Sequence, residues 1–301
     1  MIKSLHFPVV LFLYKRPEAT RNLLKVIGTS GTKKLYIFSD GAKKVVDQNA
    51  VSEVRKYVAQ FQSEHPTMTV IQENAKVNLG LKENIVGGLN TVFTKEVAAI
   101  ILEDDCLPQP SFFPYVNLLL QKYQHNIRVM SVTGSGIAGS SQYSYDFSKY
   151  QQCWGWATWA RAWKYYDPRL QDVSVPSLSG HYMQWYWLTM LKLVRVGQVN
   201  SWAFIWSYAH FKNNGLAIIP SVNLIENVGF DEAATNTVTK SALARIATSP
   251  IKFPLSHPPK IAENTVLDQL IEKKYYQTFV AFVGLMRQYL YYHWGTYAHR
   301  D

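Results

Sequence analysis

The chain has 301 residues, 48% hydrophobic and 17% charged, a composition that fits one large or two small globular domains and excludes a disordered or fibrous chain. Its two cysteines, Cys106 and Cys153, leave no room for a disulfide framework or a cysteine zinc site, and favour a reducing, cytoplasmic setting. A net charge of +10 points to an anionic partner or a solvated basic surface; with no zinc-finger, RNP or helix-turn-helix pattern, nucleic acid drops out, leaving a phosphate-bearing small molecule or an anionic membrane surface.

The apolar run Phe7–Tyr14 is too short to span a bilayer and lacks a small-residue cleavage site, so it reads as a first, buried strand. Strand-length runs at Pro8–Tyr14, Leu35–Ser39, Met68–Gln72 and Val97–Leu102 alternate with helical patterns at Glu18–Ile27, Asp47–Gln62 and Leu81–Phe93. Pro17 stands near the first helix start, where a missing N–H costs nothing. This rhythm predicts an α/β fold with a mostly parallel, doubly wound sheet, whose ligands bind at the carboxyl ends of the strands. Those ends are polar here: "YKRPE", "FSDGAK" and "EDDC".

The rhythm breaks after about Ser131. Gly134–Ser144 reads as a small polar loop; "CWGWATWARAW" follows, then helical stretches at His181–Val196 and Phe204–Asn213. No linker marks an independent second domain, so residues 1–260 form one domain whose second half walls the sheet ends. Residues 261–301 form an aromatic, basic, helical tail. Its segment from Lys273 to Trp294, with Lys273, Lys274 and Arg287, reads either as a peripheral membrane contact or as a helix packed on the domain's own core.

Glu103, Asp104 and Asp105 end the apolar run "IILEDDC". Three adjacent carboxylates repel one another unless water, a cation or donor groups offset the charge. Strand alternation puts Glu103 and Asp105 on one side and Asp104 on the other. A hard divalent cation is typically held by one or two carboxylates plus substrate phosphates. The alternative is capping of a helix starting near Ser111, from which Pro108 and Pro110 separate the acids.

"IILEDDCLPQPSFFPYVNLLLQKY" resembles the acidic metal-binding motif and following helix of GT-A glycosyltransferases. It is most similar to the N-acetylglucosaminyltransferase I type and to bacterial family-2-like sugar transferases of surface-polysaccharide synthesis. Taken with "PVVLFLYKRPEATR", "NLGLKENIVGGLNTVF", "CWGWATWARAW" and "NNGLAIIPSVNLIENVGF", the resemblance covers about residues 7–240. It implies a metal-dependent (Mn²⁺ or Mg²⁺), inverting glycosyltransferase. The donor would be a nucleotide-sugar, UDP favoured, and the acceptor a saccharide or lipid-linked saccharide.

The same resemblance implies site roles. Arg16 would meet the nucleotide diphosphate, as a guanidinium suits. Asp40 would accept from the base, with a turn role before Gly41 equally open. Asn78, Gly80 and Lys82 would form the loop and helix start over the donor. Asp105 would hold the metal, and Glu103 and Asp104 would meet ribose or sugar hydroxyls and metal-bound water. Gly155, Trp156 and Trp202 would lie on the acceptor side, while Trp159 and Trp163 read as core. Asn227–Thr237 resembles a loop closing over the diphosphate.

An inverting transferase also needs a base for the acceptor hydroxyl. The matching position, in "NSWAFIWSYAH", is Ala203, which has no proton-accepting group. With the other elements intact, this favours an inactive variant in which an acid was replaced by alanine. The alternative is a shifted register in which Glu226, Asp231 or Glu232 serves. The rival functions are a nucleotidyltransferase, which lacks its Gly-rich signature after the first strand, and a non-catalytic sugar-nucleotide or glycan binder.

Overall fold

The computed structural model describes residues 5–137, 141–174, 178, 180–229, 247–277 and 284. Strand β1 (Val9–Leu13) is wholly buried, and its alternate residues feed opposite faces of the sheet: Val9, Leu11 and Leu13 one cluster, Val10 and Phe12 another. A central parallel strand, covered on both faces, has to be apolar throughout. Helix α1 (Pro17–Gly28) opens with its proline and buries Thr20, Leu23, Leu24 and Ile27, one face at helical spacing. Then come β2 (Lys34–Ser39), a 3₁₀ turn (Val45–Asp47), α2 (Gln48–Glu64), β3 (Thr69–Asn74), α3 (Leu81–Val92) and β4 (Ala98–Glu103). Each element falls within a few residues of its expectation.

The second half comprises β5 (Cys106–Pro108), α4 (Phe112–Lys122), β6 (Val129–Thr133), β7 (Tyr145–Ser148), β8 (Trp156–Trp159) and α5 (Ala160–Trp163). After them come α6 (His181–Arg195), α7 (Trp202–Lys212), β9 (Leu216–Pro220), β10 (Ile225–Asn227) and α8 (Thr265–Ile271), which runs into a π-helical turn (Glu272–Tyr276).

Eight strands form one sheet in the order β3-β2-β1-β4-β8-β6-β9-β7. β3, β2, β1, β4, β6 and β9 share a direction; β8 and β7 oppose it. The fold is therefore mixed α/β around a large, mostly parallel sheet, as the sequence predicts. Helices α1, α2 and α4 cover one face, and α3, α5 and α7 the other. β10 pairs antiparallel with β5 in a separate two-stranded sheet.

The part of the tail that is described packs onto the domain. Leu267 and Ile271 of α8 are buried in a third cluster with α6 and α7, and Tyr276 meets Tyr150, Tyr186 and Trp187. Tail residues 278–283 and 285–301 lie outside the described residues, and no helix among the described residues is long and apolar enough to cross a membrane.

Two buried acids fasten α8 and the turn that follows it. Asp268 accepts from the Ser148 hydroxyl and Lys149 N–H, and Glu272 accepts from the Tyr150 hydroxyl at 2.6 Å. Burial pushes the Asp268 carboxyl up to about 6. The native state thus holds a proton that the unfolded chain has lost, so stability falls as pH rises from about 4 to 6. Asp268→Asn keeps an acceptor without the charge. Urea titrations across this pH range should show the variant gaining on the parent with rising pH, by about 3 kcal/mol at neutral pH. A pH-independent difference between the two would remove this account.

Candidate active site at the carboxyl ends of β1 and β4

From β1 the chain builds outward through β2 to β3, then returns to place β4 on the other flank of β1. The crevice between the carboxyl ends of β1 and β4 is therefore the topological switch point, the position where open α/β sheets bind ligands. Phe12 is in register with Glu103, and the Asp104 N–H donates to the Phe12 carbonyl at 3.1 Å. Three residues beyond Leu13 on one strand, and one to two beyond Glu103 on the other, lie the charged groups Arg16, Asp104 and Asp105.

One guanidinium nitrogen joins both aspartates: Arg16 Nη1 donates to Asp104 Oδ1 at 2.7 Å and to Asp105 Oδ2 at 3.1 Å. The Tyr14 N–H donates to the other oxygen of Asp104 at 3.0 Å. Asp104 is buried, and its carboxyl is raised above the usual range by that burial, a shift that Arg16 opposes. Glu103 is raised further, by burial and then by the charges of Asp105 and Asp104. Among the described residues three carboxyl groups meet one guanidinium here.

Two oxygen-bearing groups remain for a ligand. Asp105 Oδ1 receives, among the described residues, only the weak Cys106 thiol at 3.5 Å, and no hydrogen bond among them reaches the Glu103 carboxylate. Hard oxygens, excess charge and a partly exposed position suit one divalent cation that takes the rest of its shell from phosphate oxygens. No three acidic, histidine or cysteine side chains converge as a complete cage among the described residues. The acids do not cap α4, which starts at Phe112 beyond β5.

Segment 227–229 lies directly on this cluster. The Val228 N–H donates to the Asp105 carbonyl at 2.8 Å, and a Cβ at Gly229 would stand 2.4 Å from Asp105 Oδ2, so only glycine fits there. Residues 230–237 of the expected closing loop, with Asp231 and Glu232, are outside the described residues; Glu226 is exposed on β10. A cleft of about 210 Å³ opens beside Asp104 between α1 and Val228. A hollow of about 250 Å³ at the C-terminal half of α7 holds none of the acids.

Asp40 takes the turn role that the sequence left open beside a contact to the base. Its Oδ1 accepts from Gly41 N–H (2.8 Å) and Leu79 N–H (2.7 Å), and its Oδ2 from Asn78 Nδ2 (2.9 Å) and Gly80 N–H (3.0 Å). Four donors fill the lone pairs of a carboxylate. Asp40 therefore locks the loop before α3 onto the end of β2 instead of facing a base. Asn78 serves the same lock, Gly80 precedes α3 with φ 84°, and Lys82 is half-buried in its first turn. Arg55 adds a second clamp, donating to the carbonyls of Ser39, Asp40 and Ala75; nothing in the pattern of α2 announced it.

The acceptor-side residues also need correction. Trp156 and Trp202 are 1% and 3% exposed and stack on each other at 5.3 Å, inside a cluster with Trp163 and Trp206. Their faces are spent on one another. Gly155, at φ +58°, brings its Cα so close to Ile225 that a Cβ would clash at 2.4 Å, so it serves packing. Trp159 and Trp163 are core, as expected. Ala203 is half-buried in the first turn of α7, its carbonyl 3.5 Å from Gln151 Nε2. Two residues on, the Cys153 thiol is pushed up to about 12 by burial and then by the charges of Glu103 and Asp105. The segment touching Ala203 thus runs on into the field of the acids.

No family model matches the chain, and no curated protein matches it. Among solved structures it is similar to the mannosyltransferase PcManGT from Pyrobaculum calidifontis in complex with GDP-Man and Mn²⁺, at 13% identity and a TM-score of 0.40, over 70% of this chain and 72% of that one. It is also similar to a UDP-glucose pyrophosphorylase complexed with UDP-glucose, at 12% identity and a TM-score of 0.29, over 49% of this chain and 64% of that one. Both overlaps are partial, and the functional reading rests on the site itself.

Proposed function

We propose that the chain is a metal-dependent GT-A glycosyltransferase that moves a sugar from a nucleotide-diphosphate donor, UDP favoured, to a saccharide hydroxyl with inversion. The observation that carries this reading is the braced acid cluster at the switch point: Arg16 holds Asp104 and Asp105, and no strong donor among the described residues reaches Asp105 Oδ1 or Glu103. Asp105, with Glu103 beside it, would hold a divalent cation that offsets charge on the departing diphosphate. Arg16 fixes the direction of the Asp105 carboxylate and adds positive charge where phosphate oxygens would lie. Gly229 and Val228 lie against Asp105 and would hold the segment that follows close to the diphosphate.

The reading is tested by Asp105→Asn. Calorimetric titration with UDP-sugars and other nucleotide-sugars, with and without Mn²⁺, should give Mn²⁺-dependent donor binding in the parent and at least a tenfold loss in the variant, the scale of losing one charged contact. Melting temperature should change little, because Asp105 is at a strand end with its side chain partly exposed. Unchanged Mn²⁺-dependent affinity in Asp105→Asn would remove the assigned role.

A further inference from the structure

The rim that carries the acid cluster has a second character, apolar and basic. In the loop after β2, Val45 and Val46 are 79% and 81% exposed; in the loop after β3 and at the start of α3, Val77, Leu79 and Leu81 are 66%, 47% and 42% exposed. Both loops are held rigidly. Asp40 and Asn78 tie them together, a Cβ at Gly41 would stand 2.4 Å from the Val77 carbonyl carbon, and Tyr14 and Lys15 fix Asp47 from the β1 side. Holding five aliphatic side chains in water on a braced scaffold costs free energy unless something covers them.

Charge says what covers them. Lys43, Lys44 and Lys76 are exposed beside these side chains, and Lys15 and Lys82 are half-buried at the same rim. Of the acids within these loops, Asp47 is buried and bound to Lys15 at 2.8 Å, and Asp40 is buried and saturated; Glu73 and Glu83 are exposed at the flanks of the second loop. Aliphatic tips ringed by lysine suit the headgroup boundary of an anionic bilayer, where the tips enter the acyl region and the amines meet lipid phosphates.

We propose that this rim, Val45–Val46 and Val77–Leu81 with Lys43, Lys44 and Lys76, docks the protein on an anionic lipid bilayer. Membrane attachment thereby belongs to this face of the domain and does not require the C-terminal tail. The rim adjoins the crevice of Arg16 and Asp105, so a lipid-linked acceptor would meet the site from the docked surface; that last clause rests on the proposed transferase activity, whereas bilayer binding does not.

The test is sedimentation of the full chain with vesicles of equal parts phosphatidylcholine and phosphatidylglycerol, and with phosphatidylcholine alone. Binding should require the anionic lipid and weaken with salt. Val45→Glu with Val46→Glu should lower it at least tenfold, and Lys43→Gln with Lys44→Gln by about thirtyfold, the contribution of two lysines near a charged surface. Val97→Glu with Ile127→Glu makes the same charge change on residues preceding β4 and β6, at the opposite end of the sheet, where they are 73% and 78% exposed. That pair should bind like the parent.

Equal loss in the two glutamate pairs would assign binding to diffuse net charge and overturn the proposal. So would parent-like binding of the Val45/Val46 pair. Weakened nucleotide-sugar binding in that pair, with vesicle binding intact, would give the loops to the donor pocket. Loss of self-association by light scattering, again with vesicle binding intact, would give them to a second copy of the chain.

Discussion

Installing a carboxylate at position 203 should raise the rate of sugar transfer by about 10²–10⁴-fold, the usual worth of general-base assistance, while leaving donor affinity nearly unchanged. In the proposed reaction the acceptor oxygen would attack the anomeric carbon, the bond to the diphosphate oxygen would break, and the hydroxyl proton would go to an acceptor. The alanine methyl cannot take it. Ala203 stands in the first turn of α7, where the helix dipole favours an anion, but it packs half-buried against the tryptophan cluster, so the melting temperature of Ala203→Asp is measured beside its rate. Its backbone carbonyl contacts Gln151, whose segment continues to Cys153 beside the acids. The gain corresponds to about 3–5 kcal/mol of barrier. The measurement is a paired assay of parent and variant with one donor and one acceptor. Equal rates would move attention to Glu226 and to Asp231 and Glu232. Transfer absent from both, with donor binding intact, would favour a non-catalytic binder.

Arg16→Ala should be the most damaging substitution in the site. It removes the cation from one buried and one partly buried carboxylate, with Glu103 already raised beside them. Breaking one partner out of such a pair costs about 3–5 kcal/mol, because the remaining charge stays out of water. Urea unfolding at neutral pH should show that loss, and donor binding should disappear with it. Arg16→Lys should fall between, since an ammonium is a point charge without the planar fork. Mn²⁺ should raise the unfolding midpoint of Arg16→Ala more than that of the parent, because the acids then lack their own counter-charge. A loss under about 1 kcal/mol would mean that Arg16 behaves as a surface residue.

What these substitutions probe was legible in the chain to different depths. By itself the sequence determined the elements of the first half and their order. β1, β2 and β4 are unbroken apolar runs, and α1, α2 and α3 repeat their buried residues at helical spacing, so each element is specified by its own residues. The sequence likewise marked where chemistry would sit, because an apolar strand stopping on three carboxylates is a local signal.

Only the tertiary structure decided the rest, because it depends on partners distant in the chain. "WATW" is too short to declare a strand, yet as β8 it fills the place between β4 and β6, and this is what buries Trp156. β10 finds β5 across more than a hundred residues and brings Gly229 onto Asp105. A carboxylate's task follows from which donors reach its lone pairs. Four reach Asp40 and make it a loop brace, whereas among the described residues Asp105 keeps an oxygen that meets only a weak thiol. Residue type and spacing fix which groups are available; the approach of distant segments fixes which of them stay open to a ligand.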